Sequence, residues 1–515
     1  GAVMGVAGTW TDETVASTYA YIIEWDGISF SDDNAIDVLF GGNGNDTLQG
    51  GGGNDTMSGD ANDDILFGGA GNDTMLGGTG ADYTNGGAGN DTINLANGDF
   101  AANESIDGDA GTDTVVLTTS ATTVDFTTGT LAGLETLTGS GGNDTVTMYA
   151  TSVAGMFTTV NLGAGASDTL YIKASGTMNI SAATIAATAG VENGFIVGTA
   201  TDDVLTITAT QFNAIIAGTG TVDFGAGTGD TMNLSGTTAD LNTLGVTDAS
   251  IQGLEAVSFS TAGAGVTLDL SAQTEAFTIT GGASADTITA GTGADVIDAG
   301  GGNDTINLAN GAFAAGESIT GGAATDTVIL TNATTVDFTT GTLATLETLT
   351  GSGSNDVVTM LASSAAGMFT TINLGAGAAD VLSVVGTSDI SAAVVATISN
   401  VETGNIIGTT GNDSLTLTGT QFNAFIIGAG LVDMDAGTDT ITLTSLASDL
   451  ATLAATDSLI EGLEVISYAS VGSGVTLDLS LQTEGFTLTG GTVADTLTMG
   501  DGDDTHSRRL ACRDA

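Results

Sequence analysis

Apolar and polar residues follow a nine-residue cycle in the first part of this chain. From Gly41 the cycle reads GGNGNDTLQ, GGGGNDTMS, GDANDDILF, GGAGNDTML, GGTGADYTN and GGAGNDTIN, six copies in register that end at Asn94. A degenerate copy, DDNAIDVLF, precedes them. The first six positions predict a turn, because glycine accepts the positive φ angles that tight turns need. The last three predict a short strand whose apolar side chain, at position eight, faces inward.

Two nonapeptides form one coil of a flattened, right-handed roll in this interpretation, and successive coils stack at about 4.8 Å. The inward-facing residues at position eight are then Leu48, Met57, Leu66, Met75 and Ile93. The aspartates at position six fall into two columns, one with Asp46, Asp64 and Asp82 and the other with Asp55, Asp73 and Asp91. Carboxylates stacked so closely repel one another. A Ca²⁺ ion between each stacked pair would remove the repulsion by taking six to eight carboxylate and carbonyl oxygens.

The nonapeptide returns further along the chain, and a longer repeat lies over it. Copies stand at 281–307 and, shortened, at 490–505. The phrase NDTINLANGDFAANESI from Asn90 recurs almost unchanged from Asn303, so two modules of roughly two hundred residues stand in tandem. Between the blocks, short β-branched runs separated by Gly, Asp and Asn predict further strands and turns.

These patterns predict an all-β fold in which parallel β-roll blocks alternate with wider right-handed β-solenoid segments, arranged as two tandem modules. The expected segments are an N-terminal aromatic cap or assembly segment at 1–31, a roll at 32–94, a solenoid module at 95–280, a roll at 281–307, a second module at 308–489, a roll remnant at 490–505 and an atypical tail at 506–515. The tail HSRRLACRDA reads either as an artefact of the sequence or as a genuine basic tail.

Composition strengthens the expectation of bound cations. The chain of 515 residues has 61 acidic and 4 basic side chains, for a net charge of −57. A hydrophobic fraction of 41% argues against the disorder that such acidity often brings, provided that something neutralises the carboxylates. Divalent cations that prefer oxygen ligands, such as Ca²⁺, are the obvious candidate. The same charge excludes nucleic acid as a partner, and no apolar run is long enough to predict membrane insertion.

The block at 32–94 resembles the RTX (repeats-in-toxin) calcium-binding parallel β-roll, since six consecutive copies in register are a specific signature. The resemblance implies Ca²⁺ in the turns, folding at extracellular calcium levels and export by type I secretion. The aspartates that match the family's ligand position are Asp46, Asp55, Asp64, Asp73, Asp82 and Asp91 in the first block, Asp286, Asp295 and Asp304 in the second, and Asp495 and Asp504 in the third.

The remainder of the chain resembles the RTX-type surface-layer proteins of Gram-negative bacteria and cyanobacteria in its Thr, Ala, Gly and Val content and its scarcity of Lys and Cys. This resemblance implies a secreted protein at the bacterial cell surface that associates with itself into an S-layer sheet. It also leaves room for a cell-surface polysaccharide partner. A subunit of an extracellular filament or matrix fibre, or an adhesin stalk, remains an alternative. The tail at 506–515 does not resemble the family's export signal.

An enzyme is the competing class, because RTX rolls often accompany proteases and lipases. The inventory argues against it: His506 is the only histidine, so neither an HExxH zinc site nor a serine–histidine pair can be assembled. Paired carboxylates could support glycosidase chemistry, but no non-repeat domain is long enough for a cleft. We therefore predict a structural protein without catalytic residues.

Several acidic residues lie in weaker copies of the motif. They either bind Ca²⁺ or cap their own turns, as an isolated Asp in a Gly-rich turn usually does: Asp113, Asp144, Asp168, Asp203, Asp356 and Asp413. The glutamates of the LET and VET phrases are expected to be solvated positions at strand ends: Glu135, Glu192, Glu347 and Glu402.

Overall fold

The computed structural model divides the chain into two compact units, Gly1–Val257 and Ser258–Ala515. Within them the structure describes residues 3–4, 10–11, 20–21, 36–181, 187–208, 211–212, 215–216, 220–235, 251–386, 388–394, 396–445, 459–469, 471–472, 474–491 and 493–507. The architecture is all-β, and mostly parallel strands form a β-solenoid. The predicted fold class is therefore confirmed.

The strands are short, because each occupies only the apolar part of a repeat. Up to residue 258 they are β1 (Val3–Met4), β2 (Trp10–Thr11), β3 (Ala20–Tyr21), β4 (Asp37–Asn43), β5 (Thr47–Gly52), β6 (Thr56–Ala61), β7 (Ile65–Ala70), β8 (Thr74–Thr79), β9 (Tyr83–Ala88), β10 (Thr92–Leu95), β11 (Ser105–Ala110), β12 (Thr114–Leu117), β13 (Thr123–Asp125), β14 (Thr130–Ala132), β15 (Thr136–Thr138), β16 (Thr145–Tyr149), β17 (Thr159–Asn161), β18 (Thr169–Lys173), β19 (Thr177–Asn179), β20 (Ala187–Ala189), β21 (Asn193–Thr199), β22 (Val204–Thr208), β23 (Val222–Gly225), β24 (Thr231–Ser235), β25 (Ile251–Gln252) and β26 (Ala256–Ser258).

The second unit repeats the same kind of element. Its strands are β27 (Thr267–Asp269), β28 (Thr278–Thr280), β29 (Thr287–Thr289), β30 (Val296–Asp298), β31 (Thr305–Leu308), β32 (Ser318–Thr320), β33 (Thr327–Leu330), β34 (Thr335–Asp337), β35 (Thr342–Ala344), β36 (Thr348–Thr350), β37 (Val357–Leu361), β38 (Thr371–Asn373), β39 (Val381–Val385), β40 (Thr397–Ser399), β41 (Thr403–Ile407), β42 (Ser414–Leu417), β43 (Ile427–Gly428), β44 (Val432–Asp433), β45 (Thr440–Leu443), β46 (Ile460–Glu461), β47 (Val465–Ser467), β48 (Thr476–Asp478), β49 (Thr487–Thr489), β50 (Thr496–Thr498) and β51 (Thr505–Ser507).

Helical segments are short and lie between strands. Among the described residues the α-helices are Ala150–Val153, Ala362–Ala365 and Gly419–Phe425, and 3-10 turns lie at Phe126–Thr128 and Phe338–Thr340. The longest of these begins with a capping box, in which the Thr418 side chain accepts the Gln421 N–H and the Gln421 side chain reaches back to the Thr418 N–H. Among the residues that the structure describes, no helix has the length and apolar character needed to cross a membrane.

In the first unit, each sheet stacks strands that lie one coil apart in sequence. One sheet runs β20-β17-β15-β12-β10-β8-β6-β4-β3, a second runs β14-β11-β9-β7-β5, and a third runs β13-β16-β18-β21-β23-β25. In β6 and β8, Thr56 pairs with Thr74 in parallel, which is the predicted 18-residue coil of two nonapeptides. Beyond the first block the coils widen, and Thr145 pairs with Thr169, 24 residues later. The predicted change from a narrow roll to wider coils is therefore confirmed.

The second unit has the same parallel organisation. Its sheets include β27-β29-β31-β33-β36-β38-β40, β34-β37-β39-β41-β44-β46 and β42-β45-β47-β49-β51. The coil shortens to 18 residues where the nonapeptide returns, since Phe277 and Asp295 lie that far apart and are joined by a hydrogen bond. It widens again to 24 residues between Asp356 and Asp380.

Apolar residues at alternate positions of the strands fill the interior of the coils. The position-eight residues Leu48, Met57, Leu66, Met75 and Ile93 are all buried, as the nonapeptide pattern predicts. Wider coils bury larger groups, including Phe157 and Phe224. Each coil packs only on its neighbours, which is the general property of solenoids.

The two predicted end segments lie largely outside the described residues. Of the proposed cap at 1–31, only the short strands β1, β2 and β3 are described, and of the tail at 506–515 only His506 and Ser507. The functions expected for these ends therefore stay predictions.

Candidate calcium-binding turns

The aspartates of the first block form hydrogen-bonded ladders that run from coil to coil. In one column the Asp46 N–H donates to Oδ1 of Asp64, and the Asp64 N–H donates to Oδ1 of Asp82, both at 2.7 Å. The ladder ends where the Asp82 N–H donates to Oε2 of Glu104 at 3.0 Å. The predicted column of stacked aspartates is thus present, and backbone amides hold the carboxylates of Asp64 and Asp82 in place.

The second column is longer. Each Asp N–H donates to the carboxylate one coil later, from Asp37 through Asp55, Asp73 and Asp91 to Asp113, at 2.7 Å in every step. This order follows from the register of the roll, because a parallel stack with an 18-residue coil returns the same motif position to the same corner.

In four of these aspartates the other carboxylate oxygen lacks such a donor among the described residues. The Oδ2 atoms of Asp64, Asp73, Asp82 and Asp91 are buried and have no hydrogen-bond partner within the described part of the chain. Burial of an ionised oxygen without a partner is costly, and it raises the pKa of Asp64 to about 7 and that of Asp73 to about 6. The hydrogen bonds from the Asp46 and Asp55 backbone lower these pKa values in part, while the neighbouring aspartates raise them further.

Each of these oxygens faces a space that exists only because position one of the nonapeptide is glycine. A methyl group on Gly41 would lie 2.8 Å from Oδ2 of Asp46 and 2.8 Å from the carbonyl oxygen of Gly59 in the next coil. A methyl group on Gly59 would lie 2.5 Å from the Gly77 carbonyl oxygen and closer still to the Asp64 carboxylate. A carboxylate oxygen and a backbone carbonyl oxygen from successive coils therefore converge on the same small space.

This donor set fits a hard divalent cation. All of the converging atoms are oxygens, one is anionic, and Ca²⁺ takes such ligands in flexible numbers. No cluster of three or more His, Cys, Asp or Glu side chains that could hold a metal occurs in the ranges described. A bound ion would therefore draw on backbone carbonyl groups as well as carboxylates.

Comparison with known families agrees with this geometry. The family model described as the RTX calcium-binding nonapeptide repeat matches four stretches, at residues 32–66, 58–93, 131–147 and 278–312. This chain carries RTX calcium-binding repeats. Calcium is therefore the cofactor of these repeats, as the sequence predicts. RTX proteins are typically secreted, and the RTX solenoid is typically structural rather than catalytic. No curated protein matches the sequence.

The second RTX block differs from the first at the corner of the coil. Asp286 accepts the Val266 N–H at Oδ1 and the Gly282 N–H at Oδ2, at 2.7 and 3.0 Å. Position one is no longer always glycine, since buried Ala290 and Ala299 hold it in the next two copies. These alanines carry a methyl group at the motif position where the first roll has glycine and an open space. The nonapeptide pattern predicts the same ligand position in both blocks, whereas the structure shows different contacts at the corners of the second block.

The remaining predicted residues keep the same kind of backbone contact. Carboxylate Oδ1 atoms accept a backbone N–H from the preceding coil at 2.7–2.9 Å in Asp295, Asp304, Asp495 and Asp504. Oδ2 of Asp304 has no hydrogen-bond partner among the residues described, and burial raises the pKa of Asp295 and of Asp304 to about 6. The eleven predicted aspartates thus belong to six hydrogen-bonded ladders that run between coils.

Two further aspartates share the open geometry of the first roll. Oδ2 of Asp113 and Oδ2 of Asp326 lack a hydrogen-bond partner in the described structure. A methyl group on Gly108 or Gly321 would lie 2.7 Å from the respective oxygen. Sequence reasoning left Asp113 undecided and missed Asp326. The signal available for both was glycine at position one, in GDAGTD and GGAATD.

The expectation for the glutamates is wrong in one respect. They are not merely solvated strand ends, because each carboxylate accepts the N–H of the last Asp in a ladder. The bonds, all at 2.8 Å, run from Asp113 to Glu135, Asp168 to Glu192, Asp326 to Glu347 and Asp380 to Glu402. The same contact ends ladders at Glu104, Glu255, Glu317 and Glu464.

A local motif places several of these glutamates. In GLE, the residue two before Glu135 is Gly133, with a φ of +57°, and the intervening Leu134 is buried. The sharp turn at the left-handed residue aims the glutamate back at the preceding coil. Thr345 and Asn400 take the same conformation before Glu347 and Glu402, with φ of +48° and +52°.

Proposed function

We propose that calcium binds between successive coils of the first roll, through the position-six carboxylates and the carbonyl oxygens of position-one glycines. The proposed carboxylate ligands there are Asp46, Asp55, Asp64, Asp73, Asp82 and Asp91, with Asp286, Asp295, Asp304, Asp495 and Asp504 in the later blocks. One observation carries the proposal: the buried Oδ2 atoms of Asp64, Asp73, Asp82 and Asp91 face the glycine gap and have no hydrogen-bond partner among the described residues.

Calcium in these turns would act as a structural element rather than a catalyst. It would supply the positive charge that the ladders lack, since the described residues contain a single ion pair, between Lys173 and Asp125. Because binding requires ionised ligands and stacked coils, its free energy becomes folding free energy. The roll would then be loose in low calcium and rigid outside the cell, where calcium is abundant.

We further propose that the chain is a secreted structural protein that assembles with copies of itself into a bacterial cell-surface layer. The net charge of −57 opposes association unless cations intervene, so assembly would depend on calcium. A strip on the first roll offers apolar contact area: Ile65, Phe67 and Tyr83 are exposed neighbours on β7 and β9, with the two rings 5.7 Å apart.

Two measurements test this function. Circular dichroism with excess EGTA should show a loosened fold that recovers on adding millimolar calcium, and a spectrum unaffected by EGTA would contradict calcium-dependent folding. Electron microscopy with calcium should show two-dimensional sheets that are absent without it. Thin fibres would replace the surface layer by a filament, and isolated rods in both conditions would indicate a stalk.

A charge-matched pair of variants tests the ligand assignment. The variant Asp64→Asn removes one buried member of one column, whereas Asp298→Asn removes one charge from an exposed strand position. We expect the first to bind fewer calcium ions in isothermal titration calorimetry and the second to bind as many as the unmodified chain. Equal stoichiometry in all proteins would refute the assignment.

A further inference from the structure

In four turns outside the first roll, both oxygens of the Asp carboxylate accept hydrogen bonds from the protein. At Asp144 the Oδ2 atom accepts the Ser140 N–H at 2.6 Å and the Ser140 hydroxyl at 2.9 Å. Its Oδ1 atom accepts the Thr122 N–H of the preceding coil at 2.7 Å. Both oxygens of this buried carboxylate are therefore satisfied by protein donors.

The other three turns repeat the arrangement with Ser or Thr four residues before the Asp, which is position two of the nonapeptide. Oδ2 of Asp203 accepts the N–H and the hydroxyl of Thr199 at 2.6 and 2.9 Å. The corresponding bonds join Ser352 to Asp356 at 2.7 and 3.0 Å. Thr409 donates in the same way to Asp413, its hydroxyl at 3.1 Å.

The first roll has a different residue and a different backbone at position two. Gly69, Gly78 and Gly87 hold this position with φ between +98° and +108°, and Asp60 holds it in the third copy with a φ of +72°. The Oδ2 atoms of the aspartates four residues later, Asp73, Asp82 and Asp91, have no donor in the described structure. In the four other turns the backbone at position two is not left-handed, and the residues there are Ser140, Thr199, Ser352 and Thr409. Residues with a Cβ adopt that region uncommonly, and Ser and Thr less readily than Asn or Asp.

We propose that position two decides whether a turn needs calcium: a left-handed residue, usually Gly, leaves the Asp for the metal, whereas Ser or Thr supplies two donors in its place. The inference rests on the proposed calcium sites of the first roll. Hydrogen bonds to an ionised acceptor are strong, and several together can stabilise a buried carboxylate without a cation. The chain then combines a calcium-dependent roll with turns at Asp144, Asp203, Asp356 and Asp413 whose carboxylates need no cation.

Hydrogen–deuterium exchange of the full chain, with calcium and with EGTA, tests the division directly. We expect peptides from β6 to β9 to lose protection in EGTA, while peptides that contain β16 and β37 keep it. Loss of protection in β16 and β37 at the same chelator concentration as in the roll would overturn the inference. If β6 to β9 do not respond to calcium, the proposed calcium function itself fails, which separates the two outcomes.

Variants of Ser140 test the switch at one turn. Ser140→Ala removes the hydroxyl donor and keeps a Cβ, so protection of β16 should fall about tenfold with or without calcium. Ser140→Gly removes the donor but also allows the left-handed backbone, so protection should fall in EGTA and recover in calcium. Recovery of both variants in calcium, or of neither, would refute a role for the backbone at position two.

Discussion

Replacing Gly59 by alanine is the sharpest test of the calcium-binding geometry. The new methyl group would lie 2.5 Å from the Gly77 carbonyl oxygen and 2.9 Å from Cβ of Asp64, and closer to the Asp64 carboxylate. Gly59 is not among the left-handed glycines, so the substitution introduces steric conflict without backbone strain. The methyl group would also occupy the space proposed for calcium.

The expected loss of stability is the sum of a steric cost and the lost contribution of bound calcium. Moving a backbone carbonyl of the next coil to relieve the overlap should cost about 1–3 kcal/mol, the usual range for overpacking. A calcium ion present at about 100 times its dissociation constant stabilises the fold by about 2.7 kcal/mol, and this contribution would be lost as well. The calcium-loaded roll should therefore lose about 4–6 kcal/mol, and the calcium-free roll only the steric part.

Local hydrogen exchange of peptides from β7 to β9 measures this loss, and calorimetry counts the calcium ions. Gly141→Ala is the matched control, because no atom lies within 4 Å of its added methyl group and its φ is outside the left-handed region. The control should be neutral or stabilising by about 0.4–1 kcal/mol, through reduced entropy of the unfolded chain. A Gly59→Ala protein with normal calcium stoichiometry and normal protection would refute the convergence of ligands on this glycine.

Two further predictions concern the acidic ladders. Without calcium, folding raises the pKa of Asp73 from 3.8 to about 6 and that of Glu104 from 4.5 to about 8. The stability that protonation contributes is complete below about pH 4 and is lost as the pH rises through 6 to 8, so EGTA-treated protein should melt higher at pH 5 than at pH 8. The order should reverse in calcium, which binds ionised carboxylates, and an unchanged order would contradict this account. Glu135→Ala should leave the Asp113 N–H without its acceptor and destabilise its coil by about 1–3 kcal/mol in urea titrations, whereas Glu135→Gln keeps an acceptor oxygen and should lose less. Equal losses would show that the hydrogen bond contributes nothing.

Much of the fold follows from the period of the sequence. A nine-residue cycle with glycine in the turn and one apolar residue in the strand allows few structures other than stacked parallel coils. The burial of Met57, Leu66 and Met75 and the ladder from Asp46 to Asp82 follow from that register alone. Both depend on contacts between equivalent positions one coil apart, and a repeat specifies such contacts directly.

Only the tertiary structure shows which atoms contact the second oxygen of each carboxylate. Asp73 and Asp144 stand in similar sequence contexts, yet one presents an unpartnered oxygen to a glycine gap and the other is enclosed by Ser140. The difference depends on the φ angle at position two and on which carbonyl of the next coil lies opposite. Likewise, Glu135 meets Asp113 because a left-handed Gly133 turns the chain back at that point. The periodic sequence thus determines the coils and the columns, while the backbone conformation at each corner determines which atoms meet there.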